Sequence, residues 1–320
     1  MEKAKTILLL ASSLTLLSCQ VSQDGSSEYE APTGSEVTKE ELNLHYAKAL
    51  EAMSKVTTFG AKVSGEASYS ANTSYAQIVD GQKYEKTSLG KIEMKDLSAS
   101  FAMQVDENEE VKASMSAAAK YAFESNASGT FSSTSTNGSK NGSISLKTYY
   151  DDETLYIDGT GLSDLLSSLS ESTSVENLKI KENIKNPEID WSQLTDYLDK
   201  LSEIASDNDY IQAKNGTYSF VYTLGPDSFA GNSAVSNAWS GEAKAWLSFT
   251  EEGFTELGLS GALNYSYSID YGDDSANSTS IKTENAISAN LKASFSYGGK
   301  VTVEEVSDPD SYLFTTSAVD

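Results

Sequence analysis

The feature that most constrains this chain is the length and number of its two-residue hydrophobic alternations. Val111, Ala113, Met115, Ala117, Ala119, Tyr121 and Phe123 recur at every second position, with Lys112, Ser114, Ser116 and Lys120 between them. Successive side chains of a strand point to opposite faces, so this run predicts a strand buried on one face and wet on the other. The same period carries Phe59, Ala61, Val63, Ala67 and Tyr69. It returns in Tyr218 to Leu224 and in Ala243 to Phe249. It then runs through Leu257, Leu259, Gly261, Leu263, Tyr265, Tyr267 and Ile269, and through Ile287 to Tyr297. Strands of about 12–15 residues, against a mode of 5–6, with one apolar face each suit a strongly curved antiparallel sheet. Between Ile92 and Val105 the apolar parity switches, from Ile92 and Met94 to Leu97, Ala99, Phe101 and Met103. One extra residue near Asp96 therefore predicts a bulge that bends the strand.

Turn chemistry separates the runs. Asp106 to Glu110 reads as a charged turn, and Asp151-Asp152-Glu153 as a hairpin tip. Asn137-Gly138 and Asn141-Gly142 favour left-handed turn geometry. Ser125 to Ser143 is so rich in Ser, Thr, Gly and Asn that it is expected to form a loose edge or a long loop. Gly298-Gly299 is expected to turn into a last strand with Val301 and Val303.

The period becomes helical in two places. Thr38 and Glu41 have capping-box spacing, and Leu42, Tyr46, Leu50 and Met53 follow as one stripe. Further on, Leu162, Leu165, Leu166 and Leu169 predict a short helix. Asp190 then caps a second helix with Trp191, Leu194, Leu198, Leu201 and Ala205 on one face. The predicted fold is mainly β (α+β): a curved antiparallel sheet forming an open half-barrel, with an N-terminal helix and an inserted helical lid.

Cys19, the single cysteine, ends the run Leu16-Leu17-Ser18-Cys19. Lys3 and Lys5 precede an apolar stretch, Thr6 to Leu17, too short for an ordinary membrane-spanning helix. This segment resembles a bacterial lipoprotein signal peptide with its lipobox. The resemblance implies cleavage before Cys19, acylation of its thiol, and an extracytoplasmic location with lipid anchoring to a bacterial membrane. Residues 1–18 are then signal peptide, 19–37 a flexible tether, 38–306 the body and 307–320 a C-terminal tail. A mature chain of about 300 residues buries roughly 75% of its unfolded surface, so it needs no disulfide.

The element order, with Tyr149-Tyr150-Asp151-Asp152-Glu153-Thr154-Leu155-Tyr156-Ile157-Asp158 ahead of the helices, resembles the half-barrel lipoproteins of the Lol carrier and LppX type. In that fold a curved sheet makes an open barrel and helices cover its concave side. The resemblance spans Thr38 to about Val306 and carries over no binding residue.

Composition removes several function classes. The chain has a net charge of −24, and lysine supplies all 23 of its basic residues. That balance repels nucleic acid and offers no guanidinium fork for phosphate. One histidine and one lipidated cysteine cannot make the usual zinc ligand set. Asp270, Asp273 and Asp274 cluster in a turn, as do Asp207 and Asp209, without EF-hand spacing. His45 sits early in the first helix with no nucleophile elbow anywhere in the chain. We expect no catalytic residue, no metal and no cofactor. The expected function is a non-enzymatic, membrane-anchored lipoprotein holding an apolar or lipid-like ligand between sheet and helices, lined by Leu165, Trp191, Leu194, Leu198 and Leu201. The alternatives are a surface-exposed structural or adhesive lipoprotein, and a glycan-acting enzyme that uses paired carboxylates.

Overall fold

The computed structural model describes residues 29–108, 110–130, 136–163, 165, 178–184, 196, 199–203, 205–213, 215–229, 236–274 and 277–314. Among them thirteen strands form one open sheet. In chain order these are β1 (Ser35–Glu36), β2 (Thr58–Val79), β3 (Gln82–Val105), β4 (Val111–Gly129), β5 (Thr136–Asp151), β6 (Thr154–Asp158) and β7 (Lys179–Asn183). Then come β8 (Asp207–Gln212), β9 (Tyr218–Leu224), β10 (Ser236–Thr250), β11 (Gly253–Asp274), β12 (Asn277–Tyr297) and β13 (Leu313–Phe314). The spatial order is β1-β8-β9-β10-β11-β12-β2-β3-β4-β5-β6-β7-β13. Pairing is antiparallel except between β13 and β7.

The central strands are longer than the alternation alone suggests. β2 has 22 residues, roughly 70 Å at about 3.3 Å per residue. We call the end that carries Phe59, Met103 and Tyr297 proximal, and the end at the Asp80–Gly81 hairpin distal. Asp80 and Gly81 both have positive φ, 51° and 74°, which suits this two-residue hairpin.

The proximal half is layered. α1 (Lys39–Met53) is capped by Thr38, whose Oγ1 accepts from the Glu41 backbone N–H at 3.2 Å. It buries Leu42, Tyr46, Ala49 and Met53 against Phe59, Phe220, Leu247, Phe249 and Phe254. Full burial of a Leu or Met side chain contributes about 1.5–3 kcal/mol, so this stripe docks the helix. On the opposite face two terminal segments act as straps. Ala31 packs on Ile211, Val221 and Trp246, and β1 then pairs with β8. From the other terminus Val301 presses on Gly60, and the Glu304 backbone N–H donates to Ser114 Oγ at 2.9 Å. Tyr312 then lies edge-on to Tyr156, buried at 3% exposure.

The bulge stands where the parity switch predicts it. Asp96 has φ 51°, and the register of β3 against both β2 and β4 slips around it. A band of small residues crosses the sheet beside it: Ala243, Gly261, Ala289 and Ala67 are paired in turn. Small side chains there let the sheet coil tightly and bring Leu259, Leu291, Met94 and Leu97 over the band.

Four expectations are corrected. Asn137-Gly138 and Asn141-Gly142 are not turns but lie inside β5, paired with β4. Gly142 is needed for space, because the Tyr121 ring occupies the place of a Cβ. Val301 and Val303 are in no strand; they lie in the strap that crosses the sheet. Ser114 is buried beneath that strap rather than facing water. The body is also wider than 38–306, because β1 lies in the expected tether and residues 307–314 end in β13. Short terminal segments hold these places by backbone pairing and one or two apolar contacts, which leave little periodic signal.

Candidate functional site

The expected lipid-attachment residue Cys19 and three of the residues expected to line a ligand space, Trp191, Leu194 and Leu198, lie outside the described residues. Leu165 is half-buried just after a 3-10 turn at Thr160–Leu162. Leu201, in the helical stretch 199–203, packs with Ala205 against the core around α1. The two described members are thus not shown in one lining.

The space between α1 and the proximal sheet is filled. Tyr46 meets Phe220, Phe249 and Phe254 at ring-centre distances of 5.3, 5.4 and 6.1 Å. Tyr222 is buried in the cluster on which Leu201 and Ala205 pack. Burial, then the neighbouring Tyr210 and the Asp199 carboxylate, pushes its phenol well above the ordinary range. Asn208 donates weakly to Ser202 at 3.4–3.5 Å, and its buried Oδ1 finds no partner among the described residues.

The distal half differs. Register carries the helix-bearing face onward through Trp239, Tyr265, Asn285 and Ala71, and through Leu263, Ile287, Tyr69, Ile92 and Phe123. Trp239 and Tyr265 touch at 4.6 Å, and Tyr265 and Tyr267 at 5.8 Å. The Tyr69 hydroxyl donates to Asn285 Oδ1 at 2.8 Å, so one polar group is fixed inside an aromatic wall. Most of these side chains are half-buried by their neighbours, while Phe123 and Tyr271 are exposed, at 42% and 57%. No residue of α1 reaches this wall in the described core. The wall is aromatic, aliphatic and almost uncharged, which suits contact with an apolar chain. Tyr265, Tyr267 and Ile287 were visible in sequence as strand residues. Their place on a wall that α1 does not reach was not, because alternation reports one apolar face and not what covers it.

His45 has a structural setting. Its ring stacks on Tyr218 at 4.0 Å, and Nδ1 lies 2.7 Å from Glu251 Oε1, which also accepts from Lys48 at 2.8 Å. These hydrogen bonds, that of Lys48 foremost, hold the Glu251 carboxyl below the ordinary range. The cluster pins α1 to the β10–β11 turn. Among the described residues no group of His, Cys, Asp and Glu is arranged to hold a metal ion.

No protein-family profile matches the chain, and no curated protein matches it. Among solved structures, the outer membrane protein OprG from Pseudomonas aeruginosa is 10% identical with a TM-score of 0.17, covering 76% of this chain and 98% of that one. The β-barrel of the InvG secretin domain from the Salmonella SPI-1 injectisome is 8% identical with a TM-score of 0.17, covering 85% and 70%. Overlap this low shares no more than a large β-sheet and carries no argument about site or function.

Proposed function

We propose that this chain is a non-enzymatic, membrane-anchored extracytoplasmic lipoprotein that binds an apolar or lipid-like ligand on the distal, helix-bearing face of its sheet. One observation carries the reading: the aromatic and aliphatic wall from Trp239 to Phe123 continues the apolar face of the core past the reach of α1. The lipobox-like run at Cys19 supplies the membrane attachment. The half-barrel resemblance is consistent with this reading through the sheet and the N-terminal helix alone.

The test uses brominated fatty acid as ligand and tryptophan fluorescence as readout. Bromine quenches an indole only in near contact, so the parent protein loses emission on titration, and most of that loss vanishes in Trp239→Phe. Absence of quenching, together with absence of bound lipid in native mass spectrometry, refutes the proposal. The anchor is tested separately. Cys19→Ala is expected to move the protein from membranes to the soluble extracytoplasmic fraction, and retention in membranes refutes lipid anchoring.

A second reading, a surface adhesin, is favoured by one geometric fact. The N-terminal segment joins the sheet at the proximal end through β1, while the Asp80–Gly81 hairpin stands roughly 70 Å away. An anchor at Cys19 would therefore leave the distal hairpins projecting from the membrane. Binding of whole envelope or host polymer that is lost when residues 80–81 are replaced, with no lipid uptake, would favour this reading.

A further inference from the structure

On the face opposite the aromatic wall, just distal to the C-terminal strap, lies a groove of about 610 Å3. Register builds it from two adjacent rungs. One runs Ser294, Lys62, Ser100, Ser116, Lys147 across β12, β2, β3, β4 and β5. The next runs Lys292, Ser64, Ser98, Ala118, Ser145 across the same strands. The Ser100 and Ser116 hydroxyls are hydrogen-bonded to each other at 2.8 Å in the middle of the first rung. Lys62 and Lys147 flank that pair from β2 and β5, three strand spacings apart, or about 14 Å. Lysine stems are long enough for both ammonium groups to lean over the central hydroxyls.

The charges around the groove are sorted. Register continues the first rung to Glu256 on one side and Asp158 on the other. Both acids are already engaged. Glu256 accepts from Trp246 Nε1 at 2.7 Å and pairs with Lys292 at 2.7 Å. Asp158 accepts from the Thr160 backbone N–H at 3.0 Å and from its hydroxyl at 2.6 Å, with Lys179 at 3.8 Å. Lys147 stands directly across from Asp158 and helps hold that carboxyl below its ordinary range, while Lys62 is flanked on its rung by Ser294 and Ser100. A chain of net charge −24 thus places two exposed lysines, Lys62 and Lys147, around hydroxyls in a concavity, the second beside an acid that also has other partners. At physiological ionic strength charges are screened beyond about 8 Å, so the field inside the groove is set by its own lysines, Lys62, Lys147 and Lys292, against Glu256 and Asp158 at its two ends, and not by the net charge of the chain.

We infer that this groove binds an anionic saccharide. Its charged groups would sit between Lys62 and Lys147, and its hydroxyls would exchange hydrogen bonds with the serines. Serine hydroxyls spaced among Val63, Ala99, Ala117 and Ala118 suit a saccharide, whose hydroxyls match donors and acceptors and whose C–H faces lie on the apolar surface between them. Two ammonium groups add preference for carboxylate- or sulfate-bearing sugars over neutral ones. The groove volume falls in the range of ordinary ligand sites. This inference is independent of the lipid-binding reading, because it uses the other face of the sheet.

The test titrates the full-length protein with a sulfated hexasaccharide, an uncharged hexasaccharide and inorganic sulfate, followed by calorimetry. The sulfated sugar is expected to bind, more weakly as salt rises, and the uncharged sugar to bind at least tenfold more weakly. Lys62→Ser with Lys147→Ser should weaken the sulfated sugar roughly five- to twentyfold, at the scale of two exposed ion pairs. The charge-matched control Lys86→Ser with Lys140→Ser, on the opposite face, should leave affinity within twofold and so exclude a general charge effect. Melting temperature should be unchanged in both double variants, since all four lysines are exposed. No binding of the sulfated sugar, or equal loss in both double variants, overturns the inference. Inorganic sulfate binding as tightly as the sugar overturns the saccharide assignment.

Discussion

The proximal and distal halves are made of the same strands, yet they are different objects. Proximally the sheet is the middle of three layers, with α1 on one face and the two terminal straps on the other. Distally the same strands continue beyond the reach of α1 and of the two straps. Phe249 and Leu247 on proximal β10 are fully buried, while Trp239 on the same strand is only half-buried. Both sit at the same phase of the alternation. The difference teaches that a period of two specifies a face, and that burial follows from what the rest of the chain lays over that face. A domain that needed only stability would shorten its strands to the covered length. This one extends them past the reach of α1 and keeps them apolar, so the extension calls for a functional reason.

The comparison breaks most directly at matched positions. Phe249→Ala removes a fully buried ring from the cluster around Tyr46 and should cost about 3–5 kcal/mol. Ile287→Ala, on the distal wall, should cost about 1 kcal/mol, because its side chain already meets solvent on one side. Urea denaturation of both variants reads the difference. Equal losses would mean that the distal wall is packed as tightly as the proximal core, and the ligand-binding reading would fail with it.

A smaller effect sharpens the strap side of the proximal half. Gly258 lies directly beneath the Trp246 indole, which occupies the space a Cβ would need. Trp246 is held there by its hydrogen bond to Glu256 and covered by Ala31. Gly258→Ala should cost about 1–3 kcal/mol by overpacking and should shift the tryptophan emission to longer wavelength as the indole is displaced. An unchanged spectrum with unchanged stability would show that the strap face is loose, and only two proximal layers would remain.

These features were unequally legible in the sequence. The bulge at Asp96 was readable, because an extra residue must flip the parity of every side chain after it. The α1 cap and stripe were readable for the same local reason. Gly142 misled, since a glycine after asparagine signals a turn and also a place where a ring lies flat on a strand. The straps left no periodic trace: their hold rests on single contacts such as Ala31 on Trp246, Val301 on Gly60 and Tyr312 on Tyr156, between residues far apart in the chain. The distal wall was half-legible. Its residues were in the alternation, but the helix stripe at Leu198 and Leu201 drew attention to the lid and away from the strand ends that α1 does not reach. The Lys62–Lys147 groove was invisible, because its members come from five strands and meet only through register.

The smallest effect concerns the C-terminal strap and its response to alkali. Tyr312 lies between Tyr156 and Lys179, whose Nζ is 5.3 Å from its ring centre. Burial, followed by the nearby Asp158 carboxylate, pushes its phenol up to about 12, against about 10 in an unfolded chain. The folded state therefore holds this proton more tightly than the unfolded state. The stability it contributes is complete below about pH 10 and is lost as pH rises toward about 12. Tyr222 and Tyr297 are raised further, so alkali weakens the proximal core in any variant. A comparison of slopes isolates the strap. Between about pH 10 and pH 12 the melting temperature of the parent should fall more steeply than that of Tyr312→Phe, which has no proton to lose. Identical slopes would mean that Tyr312 is as accessible to water as the distal tyrosines, and the third proximal layer would not be one.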